Sequence, residues 1–162
     1  MLRHSIPLLF VAACSSAPVA PAPDLAAEEV AVDSVLSALH QAASEADWDR
    51  YFGLYAPDAV FFGTDATERW DLDAFRGYAS NSTGWTYLMT ERHVFVDADV
   101  HTEWFDERMH NARYDETRGT DVMINGDTGW KIAQYNLTFP IPNNLAVEFT
   151  QRIIAQEAAG SP

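Results

Sequence analysis

Residues 85–139 read WTYLMTERHVFVDADVHTEWFDERMHNARYDETRGTDVMINGDTGWKIAQYNLTF, and apolar and polar side chains alternate along much of this stretch. A period of two is typical of β-strands, because successive side chains point to opposite faces of a sheet. Polar separators divide the stretch into four predicted strands, residues 85–97, 101–110, 113–124 and 129–139. Because the separators are as short as hairpin loops, the four strands are expected to form an antiparallel meander.

Three helices are predicted before the meander, from apolar residues that recur at three- and four-residue spacing. Each follows an aspartate that can accept hydrogen bonds from the free amides of its first turn. The predicted caps and helices are Asp24 with residues 25–46, Asp47 with residues 48–55, and Asp71 with residues 72–79.

The remaining elements are one short strand and one helix. Residues 59–62 predict a strand, preceded by a break at Pro57-Asp58, and residues 145–158 predict a closing helix after the meander. This order predicts an α+β fold: a cone-shaped, curved antiparallel sheet, covered on one face by the amino-terminal helices. A chain of 162 residues is long enough for one such domain, which we place at residues 24–158 with a disordered tail at 159–162.

The amino terminus predicts export and lipid attachment. Residues 1–13 combine a basic start with an apolar run too short to span a bilayer, as in a signal peptide. Val11 to Cys14 resemble the bacterial lipobox, so Cys14 is the predicted lipidation site and residues 14–23 a Pro- and Ala-rich tether. Because Ser15 is not the aspartate that favours inner-membrane retention in lipoproteins, we expect a lipid-anchored protein on the periplasmic face of the outer membrane.

Composition excludes other classes of protein. The 10 Lys and Arg against 24 Asp and Glu give a net charge of −14, which disfavours nucleic-acid binding and leaves the lipid anchor as the expected membrane contact. The hydrophobic content of 48% and aromatic content of 12% exclude a disordered acidic chain. No metal-ligand spacing, phosphate-binding loop or nucleophile motif is present, so we expect neither a metal nor a cofactor.

Four segments carry a resemblance to a known family: residues 48–52, 58–65, 68–70 and 129–137. In this order they resemble the SnoaL-like branch of the nuclear transport factor 2-like superfamily. The resemblance implies a cone-shaped fold, a pocket between sheet and helices, and a homodimer. It implies no particular activity, because the superfamily holds both enzymes and binding proteins.

Alternation along the strands predicts which polar side chains share a face with apolar anchors and point into that pocket. On this basis we expect Glu91, His93, Asp106, Arg118, Gln134 and Asn136 to converge beside Tyr87 and Trp104, unless a bulge flips a strand. His93 with Asp106 is the candidate catalytic pair, since a carboxylate can orient an imidazole for acid–base chemistry. The candidate substrate-binding residues are Tyr87, Trp104, Arg118, Gln134 and Asn136, with Glu68 and Trp70 at the pocket mouth.

Three interpretations stay open at this point. The first is a cofactor-free isomerase, cyclase or hydrolase that acts on a small apolar molecule. The second is a lipoprotein that binds a ligand or docks a partner without catalysis. In the third, the polar sheet face is a dimer interface, and His93 and Arg118 form structural hydrogen bonds or ion pairs.

Replacing the predicted lipidation site tests the anchoring. Cys14→Ser is expected to release the protein from the membrane fraction, because the short apolar start cannot hold it in a bilayer. Fractionation followed by immunoblotting gives the distribution. Recovery of the variant as a cleaved, membrane-bound form would contradict the lipoprotein prediction.

Overall fold

The computed structural model describes residues 22–160. The predicted signal peptide, Cys14 and most of the tether lie outside these residues. The helices are α1 (Leu25–Glu45), α2 (Trp48–Gly53), α3 (Leu72–Ala79) and α4 (Ala146–Gly160). The strands are β1 (Tyr55–Phe62), β2 (Arg69–Asp71), β3 (Leu88–Val96), β4 (Thr102–Asn111), β5 (Asp115–Gly126) and β6 (Gly129–Thr138).

The predicted α+β class is confirmed, with helices packed on one face of a curved six-stranded sheet. The strand order is β2-β1-β6-β5-β4-β3. Strands β3 to β6 form the predicted antiparallel meander, whereas β1 pairs with β6 in parallel, so the sheet is mixed. None of the helices in the described part of the chain is long and apolar enough to cross a membrane.

The three predicted caps are present. The side chains of Asp24, Asp47 and Asp71 accept hydrogen bonds from backbone amides in the first turns of α1, α2 and α3. Helix α1 ends at a left-handed Ala46 with φ 55°, which turns the chain directly into α2. Capping chemistry therefore sets where each of these helices begins.

Strand β1 is longer than predicted and contains Pro57. The register of β1 on β6 is irregular between Tyr55 and Val60. A proline has no amide hydrogen to donate, and an irregular stretch of a ladder tolerates that loss. The proline therefore interrupts regular pairing without ending the strand.

The closing helix α4 forms, but none of its residues is buried. Val147, Ile153 and Ile154 are among its exposed apolar side chains. The core lies elsewhere, between the sheet and helices α1 to α3.

The face of the sheet that packs against α1, here called the inner face, is the reverse of the one predicted for β4, for β5 and for the part of β3 that follows a register shift between Met89 and Glu91. On β4 the buried residues are Glu103, Phe105, Glu107 and Met109. Trp104 is 51% exposed, and it lies with Asp106 and Arg108 on the outer face. Both faces of β4 carry apolar and charged residues. The inner face has two large apolar residues beside two glutamates, and the outer face has one large ring beside Asp106 and Arg108. Alternation alone therefore does not identify the inner face.

On β6 a bulge produces a different error. Trp130 and Ile132 are buried, as predicted. The register shifts on crossing Ala133, because Met123 pairs with Ile132 while Val122 pairs with Gln134. The inner face then continues through Tyr135, so Gln134 and Asn136 lie on the outer face, as expected when one extra residue enters a strand.

A pair of neighbouring substitutions on β4 tests this orientation. Phe105→Ala is expected to lower the free energy of unfolding by about 3–5 kcal/mol, because Phe105 is 3% exposed. Trp104→Ala is expected to cost less than about 1 kcal/mol, since its ring is half exposed. Urea denaturation of both variants gives the values, and a larger loss at Trp104 would show that the strand faces are reversed.

Candidate functional site

A cavity of about 610 Å³ lies between the inner face of the sheet and the helices. Aromatic rings from β1, β2, α3 and the loop before β3 form much of its wall. They are Phe61, Trp70, Phe75, Tyr78 and Trp85. The rings of Phe61 and Phe75 are stacked with centroids 3.8 Å apart. Such a wall offers flat apolar surfaces to a ring-shaped ligand.

Gly84 positions the loop that carries Trp85. Its φ of 103° suits glycine, and a Cβ here would lie 2.9 Å from the carbonyl oxygen of Ala43. The next amide, that of Trp85, donates to the same carbonyl at 3.0 Å. The loop is thereby fastened to the end of α1, and the Trp85 ring packs 4.6 Å from that of Trp48.

Three hydrogen-bonded polar residues, His40, Glu107 and Tyr135, meet at the aromatic wall, where α1 faces the middle of the sheet. Oε1 of Glu107 is 2.8 Å from Nε2 of His40 and accepts a hydrogen bond from the Tyr135 hydroxyl at 2.9 Å. His40 and Tyr135 both line the cavity, whereas Glu107 lies behind them at 1% exposure. The three residues come from α1, β4 and β6.

The second oxygen of Glu107 is held by Arg92. Its Nε and Nη2 atoms donate to Oε2 of Glu107 at 2.9 and 2.8 Å. Its Nη1 atom donates to Asp33 of α1 at 2.7 Å. Burial alone would raise the pKa of Glu107, but the contacts with His40 and Arg92 outweigh it and lower the pKa below its ordinary value.

An ionised Glu107 fixes the roles of its neighbours. A carboxylate only accepts hydrogen bonds, so Nε2 of His40 carries a proton in this contact. Burial raises the pKa of the Tyr135 hydroxyl well above its ordinary range, which keeps this group a donor. The site thus combines an oriented imidazole with a neutral phenol.

Gly119 leaves the space in which Tyr135 and Glu107 meet. It pairs with Glu107 on one side and with Leu137 on the other, so it lies between β4 and β6. A Cβ at this position would lie 2.5 Å from the Tyr135 hydroxyl and 2.9 Å from Oε1 of Glu107. A larger residue on β5 would therefore separate the two groups.

Two further carboxyl groups are buried on the inner face. Glu103 and Asp121 have no hydrogen-bonding partner for their side-chain oxygens within residues 22–160. Burial raises the pKa of Glu103 to about 7, against the opposing effects of the nearby Met123 backbone and of the charge of Arg92. Burial, with the charges of Glu103 and Glu107, also raises the pKa of Asp121 well above its ordinary value.

The predicted catalytic pair forms, but outside the cavity. Nδ1 of His93 is 3.3 Å from Oδ1 of Asp106, and both side chains are 51% exposed on the outer face. The expected convergence of this pair with Arg118, Gln134 and Asn136 on a cavity wall is wrong. Those three residues are absent from the cavity lining because the faces of β3 to β5 are reversed and β6 bulges.

The remaining candidates divide between the two faces. Glu68, Trp70 and Tyr87 line the cavity, and their role in substrate binding stays a prediction. Trp104 lies on the outer face, where its ring stacks on Phe95 at 5.9 Å. Glu91 is also on this face, paired with Arg108 at 3.3 Å. The homodimer stays a prediction.

The sequence analysis did not identify His40, Glu107 or Tyr135, although a signal was present for the first two. His40 follows Leu36 by four residues and Leu39 by one, so it lies on the buried face of α1. Glu107 lies two residues from both Phe105 and Met109, so it shares a face of β4 with these two apolar residues. A polar residue in register with buried apolar neighbours was the informative pattern in both cases.

Comparison with known proteins places the chain among related folds. Residues 32–142 match the model of the SnoaL-like domain. A nuclear transport factor 2-like protein of unknown function from Pseudomonas putida KT2440 is 14% identical, with 73% of this chain and 90% of that chain covered and a TM-score of 0.61. A cystatin-like fold protein from Burkholderia xenovorans LB400 is also 14% identical, with coverages of 72% and 95% and a TM-score of 0.62.

A third structure is that of a candidate dehydratase of the nuclear transport factor 2-like family from Streptomyces avermitilis. It is 15% identical, with 74% of this chain and 99% of that chain covered and a TM-score of 0.59. At such identities the likeness shows a shared fold. No curated protein matches the chain at the significance required.

The buried carboxyl of Glu103 predicts a specific dependence of stability on pH. Its folded pKa of about 7 lies above the ordinary 4.5, so the folded state binds the proton more tightly, and stability falls as pH rises between these values. Glu103→Gln is expected to remove the contribution of Glu103 to this fall, while that of Asp121 stays, and to be more stable than the wild type by roughly 2 kcal/mol at pH 8, after allowance for solvent screening.

Urea denaturation between pH 4 and pH 8 measures this difference in unfolding free energy, which is expected to vanish near the acid end. Asp58→Asn removes one exposed carboxylate and is the control. A Glu103→Gln variant that is less stable than the wild type at pH 8 would show that the carboxylate is stabilised by contacts in the fold.

Proposed function

Because the chain belongs to the SnoaL-like domain family, we propose that its cavity binds a small, largely apolar ring compound and performs cofactor-free proton transfer on it. The reaction class is that of an isomerase or a dehydratase. The observation that carries the proposal is the shared contact of His40 and Tyr135 with one oxygen of buried Glu107 at the cavity wall.

His40 is the proposed acid–base group. Imidazole can accept and return a proton near neutral pH, and Glu107 orients the ring by accepting from Nε2. Nδ1 is then the atom that exchanges a proton with the bound molecule. A positive charge that develops on the ring would be stabilised by the adjacent carboxylate.

Tyr135 is the proposed polarising group. In the resting site its one hydroxyl proton is donated to Glu107. A substrate oxygen that approaches the cavity wall would take over this hydrogen bond, and Glu107 would then be held by His40 and Arg92. A ligand bound against the surrounding rings would displace water from them, which would strengthen polar contacts inside the cavity. A ketone, an enone or a β-hydroxy carbonyl compound offers both an oxygen and an acidic carbon.

A non-catalytic ligand-binding role is the alternative. Arg92 and Asp33 extend the polar group into an ion-pair network that joins α1 to the sheet. Such a network stabilises packing whether or not chemistry occurs, and the aromatic cavity binds a ligand in either case.

The proposed location is the bacterial envelope. It is supported by the sequence from Val11 to Cys14 and by the tether that follows. A lipid on Cys14 would hold the domain beside the membrane on its periplasmic side, with the cavity in the attached domain. A protein so placed would meet apolar compounds that partition into the membrane.

Hydrogen–deuterium exchange tests the proton-transfer activity. In D₂O, the wild type is expected to speed exchange at the α-carbons of a panel of cyclic ketones and enones, followed by proton NMR. His40→Gln, which keeps a donor for Glu107, is expected to lower the catalysed rate by about 10²–10⁴-fold. Tyr135→Phe is expected to lower it less, since the imidazole is retained.

The outer face supplies a matched control. His93→Gln alters a second histidine–carboxylate pair and is expected to leave the exchange rate unchanged, because that pair lies outside the cavity. Melting curves verify that each variant is folded. Ketones that bind without any catalysed exchange would favour the non-catalytic alternative.

A further inference from the structure

Arg113 is the one Lys or Arg residue among those that line the cavity in the described part of the chain. It lies in the turn between β4 and β5. The chain as a whole carries a net charge of −14. A single cationic group at the edge of an aromatic cavity is therefore a marked local reversal of the protein's charge.

The guanidinium of Arg113 has no carboxylate within 4.0 Å in residues 22–160. Its neighbour is the Tyr114 ring, with the centroid 5.1 Å away. Five other arginines form ion pairs with Asp or Glu: Arg50, Arg76, Arg92, Arg108 and Arg152. In the described residues Arg69 and Arg118 form none, but neither lines the cavity, whereas the exposed Arg113 does. Arg113 thus keeps its donors available to an anion, and no structural ion pair accounts for it.

The turn that carries Arg113 is fixed against the rest of the cavity edge. The side-chain oxygen of Asn111 accepts hydrogen bonds from the amides of Arg113 and Tyr114 at 2.9 and 3.1 Å. The amide nitrogen of the same side chain donates to the Thr86 carbonyl at 3.0 Å. The Tyr114 ring also packs 4.6 Å from that of Phe139.

Glu68, the anionic residue in the cavity lining, is held in a turn of its own. Its Oε2 atom accepts a hydrogen bond from the amide of Asp65 at 3.1 Å. Through this contact the carboxylate of Glu68 stabilises the turn between β1 and β2. No ion pair joins Glu68 to Arg113, so the guanidinium charge is not neutralised from within the cavity lining.

The separation along β4 gives the size of a ligand that reaches both polar ends. Glu107 and Asn111 are four residues apart on this strand, or about 13 Å. His40, which contacts Glu107, and Arg113, two residues beyond Asn111, both line the cavity, and the length of their side chains takes up part of this separation. What remains corresponds to roughly two fused rings.

We propose that the cavity selects a carboxylate of a two-ring apolar compound, with Arg113 binding the carboxylate and His40 and Tyr135 facing the opposite, oxygen-bearing end. This inference rests on the proposed function for the cavity and adds the substrate class. Arg113 is the residue that determines specificity, because a neutral analogue would fill the rings' space without using the guanidinium.

Binding of matched probes tests the proposal. The probes are 6-hydroxy-2-naphthoate and its neutral carboxamide, measured by isothermal titration with the complete domain. The wild type is expected to bind the carboxylate about tenfold more tightly than the amide, as one charge-assisted bidentate contact supplies. Added salt is expected to reduce this ratio, since it screens the charge.

Variants separate the contributions. Arg113→Gln is expected to bring the ratio near unity while binding of the amide stays unchanged. Arg118→Gln removes the same charge from the outer face and is expected to keep the wild-type ratio. His40→Gln is expected to keep the preference for the carboxylate, because it alters the other end of the ligand.

The outcomes also distinguish this inference from the function beneath it. Equal affinities of the wild type for both probes, or a preference that persists in Arg113→Gln, would overturn the carboxylate inference and leave the cavity's proposed function standing. Binding of neither probe would overturn the inference together with the proposed class of ligand.

Discussion

The ionised carboxylate of Glu107 lies in the interior of the sheet, and the arrangement around the cavity depends on how that charge is held. An unpaired buried carboxylate would be strongly destabilising. Here Arg92 binds one oxygen, while His40 and Tyr135 bind the other. Because these partners come from β3, α1 and β6, one charge joins the helical layer to both halves of the sheet. Asp33 extends the same connection along α1.

That charge also affects its neighbours on the inner face. Glu103 and Asp121 lack hydrogen-bonding partners in the described residues, and burial disfavours their ionisation. The negative charge of Glu107 adds to this effect at Asp121. The three carboxyl groups therefore differ through their surroundings: the one with cationic and phenolic partners has a lowered pKa, and the two without such partners have raised values.

Much of the fold was predictable from sequence because its signals are local. Capping aspartates, hairpin-length separators and period-two alternation each depend on a few adjacent residues, and they placed α1, α3 and the meander correctly. The site was not predictable in the same way. Trp104 and Glu107 lie on opposite faces of β4, and the usual preference for apolar residues inside favours Trp104 on the inner face. The buried ionic network around Glu107 reverses that preference. The bulge at Ala133 then reverses the rest of β6, and its position depends on pairing with β5.

Two of the histidine–carboxylate pairs in the described residues, His93–Asp106 and His40–Glu107, differ in their surroundings although their residue types are alike. His93 and Asp106 meet on the outer face with both side chains half exposed, where water and salt weaken their interaction. His40 and Glu107 meet at 2.8 Å behind an aromatic wall, with the carboxylate fully buried and a phenol on the same oxygen. Of these two pairs, the second is the one that borders the aromatic cavity, where a ring-shaped molecule can bind. Residue type alone therefore does not locate acid–base chemistry in this fold: it is the burial of Glu107, made possible by Arg92 and by the absence of a side chain at Gly119, that sets the inner pair apart.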